Sequence, residues 1–273
     1  MLQEVCYEVG VQDLIDQGYL SPLTTKVARR EADTRGLHVR AGEFIQGETE
    51  ALMNESVIVQ TACREIVEFT TDRKSTLVFC GGVDHGRHVT TILRNLGCDA
   101  EAVFGNTSSA ERADILERFK SGDLKYLANC NVLTTGFDAT NIDAMAILRP
   151  TMSPGFWYQM VGRGFRIHPG KTDCLVLDFG GNALRHGPIT HIRPPNNQST
   201  TGKRKGEAPA KMCPQCRRIL ATVVRVCECV YEFPRREVRH AAHANAEYTE
   251  LAHRVKAVTY ANHVKRAGDR QLA

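Results

Sequence analysis

The sequence has no long apolar run, and this absence limits where the protein can reside. No stretch approaches the ~20 consecutive apolar residues that a membrane-spanning helix needs. The first ten residues, MLQEVCYEVG, also lack the basic region and apolar core that together define a signal peptide. We therefore expect a cytoplasmic protein. With 42% hydrophobic and 24% charged residues, the 273-residue chain has a globular composition and room for one large or two smaller domains.

A second absence concerns nucleotide binding. The glycine-rich phosphate-binding signature G-x-x-x-x-G-K-[ST] does not occur in the sequence. The nearest match, 164–172, has five residues between its glycines and a proline that removes a backbone donor where one is needed. No acidic D-E-A-D or D-E-x-H run is present either. We therefore expect that these residues do not hydrolyse a nucleotide by themselves.

Cysteine is abundant but unevenly distributed. Six of the ten cysteines are scattered, mostly within apolar runs, where we expect buried thiols. The other four form two close pairs, C-x-x-C and C-x-C, which in a reducing compartment favour a metal over disulfides. Four thiolates predict a closed, structural zinc site. Its expected ligands are Cys213, Cys216, Cys227 and Cys229.

Charge is also unevenly distributed. The whole chain carries a net charge of +4, but segment 193–240 holds 11 Lys/Arg and 4 Asp/Glu, a net +7. The remainder therefore carries −3. A segregated basic segment favours an acidic partner such as a nucleic-acid backbone, although a charged run is also the ordinary solvated face of a soluble protein.

Strand and helix patterns alternate through the middle of the chain. Short apolar runs predict strands at 75–80, 100–104, 125–129, 145–148 and 174–179. Helical spacing predicts helices at 50–69, at 86–96, and from a capping box at 108–111 to about Gly122. This alternation predicts an α/β fold, with a parallel sheet covered by helices on both faces.

The composition divides the chain into five segments. The first, 1–49, is turn-rich with one weak strand, and the predicted sheet occupies 50–192. Segment 193–211 lacks apolar periodicity and predicts a linker. The cysteine module is 212–234, and 235–273 is predicted to be a helical tail.

Two motifs stand close together in the centre of the chain. The first is Thr134-Thr135-Gly136-Phe137-Asp138, and the second is Q-x-x-G-R-x-x-R, which begins at Gln159. Arg163 and Arg166 share one face if a helix runs through both, and such a fork of permanent charges suits a triphosphate. The nearby glycines, Gly162 and Gly164, are expected to leave room for a partner.

These motifs resemble motifs V and VI of superfamily 2 helicases. Together with LRPTMSP, KTDCLVLDFGGN and RHGPI, they are similar to the RadD-like bacterial DNA-repair helicases and their phage relatives. The resemblance covers roughly 12–234. It implies a RecA-like fold, namely the second motor domain, followed by a zinc-ribbon-like module and a C-terminal helix. The absent phosphate-binding signature belongs to the first motor domain in that family, so the resemblance implies half of a motor.

The resemblance also implies roles for individual residues in an ATP site that contains Mg²⁺ and is shared with the first motor domain. Arg166 would be the arginine finger, Arg163 a γ-phosphate or bridging contact, and Gln159 a contact near the γ-phosphate. Asp138 would touch the ribose or couple nucleotide state to the strand, and Gly136 would let the backbone approach closely. The alternative is that the two arginines form surface salt bridges.

A nucleic-acid track is implied at two loops. Gly105, Thr107 and Arg112 follow one predicted strand, and Thr134 and Thr135 follow another. Small hydroxyls and glycine amides suit phosphate contacts that do not select a base. Turn capping is the alternative for Thr107. The aromatic pair Trp157 and Tyr158 is expected in the core rather than stacked on bases.

The cysteine module departs from the RadD-like pattern in two ways. The second pair is C-x-C rather than C-x-x-C, and Val230 stands where the family usually has glycine. Both changes make the second knuckle tight. Zinc binding by all four cysteines, replacement of one cysteine by His240 or His243, and a knuckle without metal remain alternatives.

The sequence as a whole predicts the C-terminal half of an ATP-dependent DNA helicase or translocase in repair or replication. Its expected partners are single-stranded or branched DNA, a first motor domain in cis or trans, and a protein that binds the zinc module. The alternatives are a non-enzymatic nucleic-acid-binding module and one chain of a split motor.

Overall fold

The computed structural model describes residues 9–29, 31–132, 138–187 and 210–234. Six parallel strands form the central sheet, in the order β1-β8-β7-β4-β6-β5. They are β1 (Leu23–Val27), β4 (Thr76–Cys80), β5 (Ala100–Val103), β6 (Tyr126–Asn129), β7 (Ala144–Leu148) and β8 (Cys174–Asp178). Two short antiparallel pairs complete the strands: β2 (Val39–Arg40) with β3 (Glu43–Phe44), and β9 (Ala210–Met212) with β10 (Ile219–Ala221).

The helices connect these strands. They are α1 (Val11–Asp16), α2 (Gln46–Met53), α3 (Ser56–Phe69), α4 (Val83–Asn95), α5 (Ser109–Ser121), α6 (Pro154–Val161) and α7 (Asn182–His186). Two short 3-10 helices occupy Thr34–Gly36 and Gly162–Phe165. Among the described residues, no helix is both long enough and apolar enough to cross a membrane.

The central strands bury side chains on both faces, as expected for a parallel sheet between helices. On β4, Leu77 and Phe79 join one core cluster, together with residues of α5 and α6. Val78 and Cys80 point to the opposite cluster, which contains residues of α3 and α4. This alternation confirms the predicted α/β fold with helices on both faces.

Two local predictions were wrong, and one strand was missed. The predicted helix 50–69 is two helices, because the chain breaks at Asn54 and Glu55 between α2 and α3. The missed strand is β1, which lies in the first segment and pairs with β8 in the central sheet. The α-helix of motif VI ends at Val161, and Arg166 has an extended backbone (φ −66°, ψ 132°), so no helix runs through both arginines.

Of the predicted capping box, the hydrogen bond in which Ser108 caps α5 is confirmed. The Ser108 hydroxyl accepts a hydrogen bond from the Glu111 backbone N–H at 3.3 Å, and α5 ends at Gly122, whose φ of 88° lies in the left-handed region. The predicted linker and helical tail lie almost wholly outside the described residues, as do Gly136, Thr134 and Thr135.

Candidate functional site

Motif VI lies on α6 and the 3-10 turn that follows it. The Ser153 hydroxyl caps α6 by accepting from the Phe156 N–H at 3.2 Å, and Pro154 occupies the first turn, where its missing N–H costs nothing. Trp157 and Met160 are fully buried in the core. Trp157 therefore packs in the core, as expected, and its ring has no surface on which a base could stack.

The two glycines of motif VI differ in their surroundings. A Cβ on Gly164 would lie 2.6 Å from Met145 Cε and 2.8 Å from Cys174 Sγ, so this glycine permits close packing against the sheet. The expectation that Gly164 leaves room for a partner was therefore wrong. Among the described residues, none would bring a neighbouring heavy atom within 4 Å of a Cβ on Gly162.

An ion pair joins the end of motif VI to the end of motif V. The Arg166 guanidinium pairs with the Asp138 carboxylate, and their side chains are 33% and 72% exposed. Next to this pair, the Thr140 hydroxyl lies 2.9 Å from His168 Nδ1. Arg163 is half-buried, and burial lowers the pKa of its guanidinium. The cationic end of motif VI is thus held against the segment that follows motif V.

Lys171 fixes the backbone of the arginine turn. Its ammonium donates to the carbonyl oxygen of Gly164 at 2.7 Å and to that of Arg166 at 2.8 Å. Burial lowers the pKa of this ammonium. These two hydrogen bonds satisfy carbonyl groups just after the end of α6, and they fix the course of the backbone from Gly164 to Arg166.

The four clustered cysteines meet at one point. Their sulfur atoms all lie within 4.8 Å of one another, with Cys213 3.6 Å from Cys229 and Cys216 3.5 Å from Cys227. Tetrahedral zinc with Zn–S bonds of about 2.3 Å needs sulfur atoms about 3.8 Å apart, so the donor set fits a structural zinc ion.

The backbone of the cluster suits thiolates. Burial raises the pKa of the Cys213 thiol, but N–H groups of Cys216 and Gln215 donate to its sulfur and bring the pKa down to about 7. Val230 has a φ of 69°, in the left-handed region that disfavours β-branched residues. The predicted tightness of the second knuckle is therefore visible as a strained backbone at Val230. His240 and His243 lie outside the described residues.

The cysteine module contacts the edge of the main sheet. Arg217 directly follows Cys216. Its carbonyl oxygen accepts from the Val27 N–H at 3.1 Å, and its Nε donates to the Val27 oxygen at 2.9 Å. Its guanidinium also donates to the Ala28 oxygen. From β10, Ile219 is 8% exposed and belongs to the sheet's core cluster. The module thus covers the otherwise open edge of β1.

Comparison with known proteins identifies the domain. Residues 58–168 match the family model of the helicase conserved C-terminal domain. Residues 58–168 are a helicase C-terminal domain. The prediction of a helicase C-terminal domain is therefore confirmed.

Relatives of known name agree with this identification. The chain is 38% identical over 180 residues to a Schizosaccharomyces pombe protein named as a mitochondrial ATP-dependent helicase, irc3, covering 65% of this chain and 29% of that protein. It is 31% identical over 185 residues to a Saccharomyces cerevisiae protein named as an ATP-dependent helicase, IRC3, with coverages of 66% and 27%. The chain therefore spans about three tenths of the length of these curated relatives.

A solved structure supports the fold. The fragment structure named as an HsdR subunit of a type I restriction enzyme from Vibrio vulnificus superposes with a TM-score of 0.54. Sequence identity is 22%, and the match covers 67% of this chain and 36% of that chain. At this identity, the likeness shows the fold alone.

In the helicase C-terminal domain, the loop after β5 is held by its own residues. The Thr107 hydroxyl accepts from the Phe104 N–H at 2.9 Å, and Arg112 Nη2 donates to the Phe104 oxygen at 2.8 Å. These bonds favour turn stabilisation for Thr107 and Arg112, whose contact with nucleic acid stays a prediction. Gly105 is exposed, and a Cβ placed on it would meet open space as far as the described part of the chain extends.

Sequence reasoning missed Arg149, which directly follows β7. Its Nη1 donates to Asn131 Oδ1, and its guanidinium carbon lies 4.6 Å from the centroid of the Phe156 ring. Asn131 itself has a φ of 56° and comes just after β6. The signal in the sequence was its place in the LRPTMSP stretch that carries the family resemblance, directly after an apolar strand.

Proposed function

We propose that this chain supplies the second motor domain's half of the ATP site in a RadD-like, ATP-dependent DNA helicase or translocase that acts in repair or replication. The observation that carries the proposal is the pairing of Arg166 with Asp138. This ion pair holds a permanent cation at the end of motif VI. The domain that carries it matches the helicase C-terminal family, and relatives of the chain are named ATP-dependent helicases.

The Arg166–Asp138 pair suits a residue that exchanges partners. Asp138 is largely exposed, and an exposed ion pair contributes only about 0–1 kcal/mol, so a phosphate can displace the carboxylate at little cost. The guanidinium would then bind γ-phosphate oxygens bidentately. Lys171 keeps the Arg166 backbone in place during this exchange. ATP and its Mg²⁺ would be presented by a first motor domain, with Arg163 and Gln159 completing the contacts.

The cysteine cluster would hold a structural zinc ion. Cys213, Cys216, Cys227 and Cys229 supply four sulfur donors, which fill a tetrahedral site and leave no open position for a reactant. The ion would stiffen the module that covers the edge of β1. Its neighbouring basic residues favour nucleic acid as the partner of the module.

The proposal is tested by ATP hydrolysis with and without single-stranded DNA. We would assay this chain alone and then fused behind a first motor domain that carries the phosphate-binding signature. We expect hydrolysis only in the fusion, stimulated by DNA and lost in Arg166→Ala. Arg64→Ala, an equal change on the exposed side of α3, is the control and should hydrolyse ATP normally.

Two results would lead elsewhere. Hydrolysis by this chain alone would contradict the shared site. An inactive fusion that still binds DNA would favour the non-enzymatic nucleic-acid-binding module. Competition between DNA and RNA of the same sequence in the binding assay tests the choice of DNA.

A further inference from the structure

Arg149 lies at the edge of the sheet where ligands of parallel sheets bind. It is the first residue after β7, and Asn131 comes shortly after β6. In the sheet order, β4 stands between these two strands, so the hydrogen bond from Arg149 to Asn131 spans the end of β4. The carboxyl ends of parallel strands are the usual place for a binding site in open α/β sheets.

Its guanidinium is held in a fixed orientation. One face stacks on Phe156 at 4.6 Å, and Nη1 is engaged by Asn131. Stacking on an aromatic ring and a bond to a side-chain amide orient the planar group without neutralising its charge.

Within the described parts of the chain, no carboxylate lies within ion-pair distance of Arg149. Arg73, Arg94 and Arg118, by contrast, each lie within 4 Å of a carboxylate. Burial lowers the pKa of the Arg149 guanidinium, and the Cys130 thiol and the Glu43 carboxylate oppose this shift through space. Among the described residues, Asn131 is the hydrogen-bond partner of this half-buried guanidinium, and an anion would complete its remaining N–H donors.

The Glu43 carboxylate is already committed to other donors. It accepts hydrogen bonds from the Thr151 hydroxyl, from the Met152 N–H at 2.8 Å and from the Phe44 N–H at 2.8 Å. Glu43 therefore holds the loop after β7 and leaves the charge of Arg149 available to a ligand.

The neighbouring helix start is not a competing anion site. The first turn of α4 follows β4, and its Asp84 N–H donates to the Glu50 carboxylate at 2.9 Å. A Cβ on Gly82 would overlap that carboxylate, so Glu50 occupies the position an anion would take.

We propose that Arg149 binds a backbone phosphate of the nucleic-acid strand that this domain contacts. The identity of the strand rests on the proposed function. An ATP phosphate is disfavoured because Arg149 stacks near the start of α6, whereas Arg166 follows its end. The eight residues of α6 alone separate these ends by about 12 Å along the helix axis.

The test is a binding titration of the full 273-residue chain with a fluorescent single-stranded oligonucleotide over a series of KCl concentrations. Arg149→Gln should bind about tenfold more weakly, since a charge-assisted hydrogen bond is lost. The slope of log K against log salt should fall by about 0.7, which is the value for one phosphate contact on a single strand. Arg64→Gln, which removes one exposed charge from α3, should change neither quantity.

Two further variants separate contact from folding. Arg149→Lys keeps the charge but not the fork, so it should keep the wild-type salt slope with intermediate affinity. Asn131→Ala keeps Arg149 and its charge but removes the hydrogen bond that orients the guanidinium. It should therefore weaken binding without changing the salt slope. The unfolding temperature of each variant shows whether the fold is intact.

The proposal is overturned if folded Arg149→Gln binds with the affinity and slope of Arg64→Gln. A wild-type chain that does not bind the oligonucleotide also overturns it, and counts against the nucleic-acid part of the proposed function as well. The ATP site is tested separately, by the effect of Arg166→Ala in the hydrolysis assay. A failure at Arg149 with that assay intact therefore removes only this inference.

Discussion

The guanidinium of Arg166 pairs with the carboxylate of Asp138, 28 positions earlier in the chain, and so joins motif VI to motif V. Between them run β7, α6 and the 3-10 turn. In the proposed function, this pair lies where the second motor domain would meet a nucleotide. Its surroundings yield predictions about both function and stability.

Lys171 is expected to position the arginine finger. Lys171→Met removes the donor to the Gly164 and Arg166 carbonyls. The backbone that carries the Arg166 side chain should then no longer be held in place. We predict that kcat for ATP in the fused motor falls by about ten- to a hundredfold, because small misplacements of catalytic groups cost that much. Steady-state kinetics should show a kcat effect that exceeds any change in KM.

Lys74→Met is the matched control, because Lys74 is exposed and precedes β4. Lys171→Arg should recover part of kcat, since it again offers donors to the two carbonyls. An unchanged kcat in folded Lys171→Met would show that the backbone bonds do not position Arg166.

Metal removal should destabilise the whole sheet rather than the cysteine module alone. Arg217 transmits the state of the knuckle to Val27 and Ala28 of the β1 edge. We expect Cys213→Ser, or a zinc chelator, to lower the unfolding temperature by about 5 °C or more, given ~2–4 °C per kcal/mol for a domain of this size. Calorimetry and metal analysis measure the two effects.

Cys98→Ser provides the control, since Cys98 is a half-buried thiol outside the cluster. It should keep one metal ion per chain. Arg217→Ala should keep the metal but lower the unfolding temperature, which separates metal binding from attachment to β1. A module that loses its metal with no change in the sheet's unfolding would refute the coupling.

The two glycines of motif VI should respond differently to alanine. In Gly164→Ala, the new methyl group would approach Met145 and Cys174 closer than 3 Å, and overpacking of this kind costs about 1–3 kcal/mol. Gly162→Ala meets open space with a helical φ of −56°, so stability should hold or rise slightly. Urea unfolding of both variants measures the difference, and equal losses would contradict the packing explanation.

His85 should make stability depend on pH. It is fully buried, its Nδ1 accepts from the Gly81 N–H at 3.1 Å, and burial lowers its pKa to about 4 from an ordinary value of 6.5. The unfolded chain therefore binds a proton between pH 6.5 and pH 4 that the folded chain does not. The contribution of His85 is complete above pH 6.5 and is lost as the pH falls towards 4, by on the order of 2 kcal/mol.

His85→Asn isolates this effect, because the asparagine oxygen can accept from Gly81 and does not titrate. The free energy of unfolding should fall less steeply between pH 7 and pH 5 in this variant than in the wild type. Parallel curves would show that His85 does not carry the pH dependence.

The sequence predicted the central strands because they consist mainly of apolar residues, which indicates that they are buried. β4, β7 and β8 are buried along their full length and appear as continuous apolar runs. β1 was missed, because LTTKV has three consecutive polar residues between its apolar ends and is a strand only through its partner β8 and the cover from Arg217. That pairing joins residues about 150 positions apart, which no local pattern encodes.

The sequence predicted only those residues of the candidate site that belong to a recognisable motif. Motif VI identified Arg163 and Arg166, but the glycines on either side of Arg163 suit both a helix and the 3-10 turn that occurs. Arg149 and Lys171 lie outside both motifs, and their importance comes from the atoms they contact. Sequence spacing predicted the sulfur cluster, yet the strained φ of Val230 needed coordinates.

The most direct test of the central claim is a single-turnover measurement of ATP hydrolysis by the fused motor at saturating DNA. It compares wild type with Arg166→Ala and with Arg64→Ala. We predict that the hydrolysis rate falls by about a thousandfold or more for Arg166→Ala, the range typical of an arginine finger, and stays unchanged for Arg64→Ala. Equal rates for wild type and a folded Arg166→Ala would contradict the account.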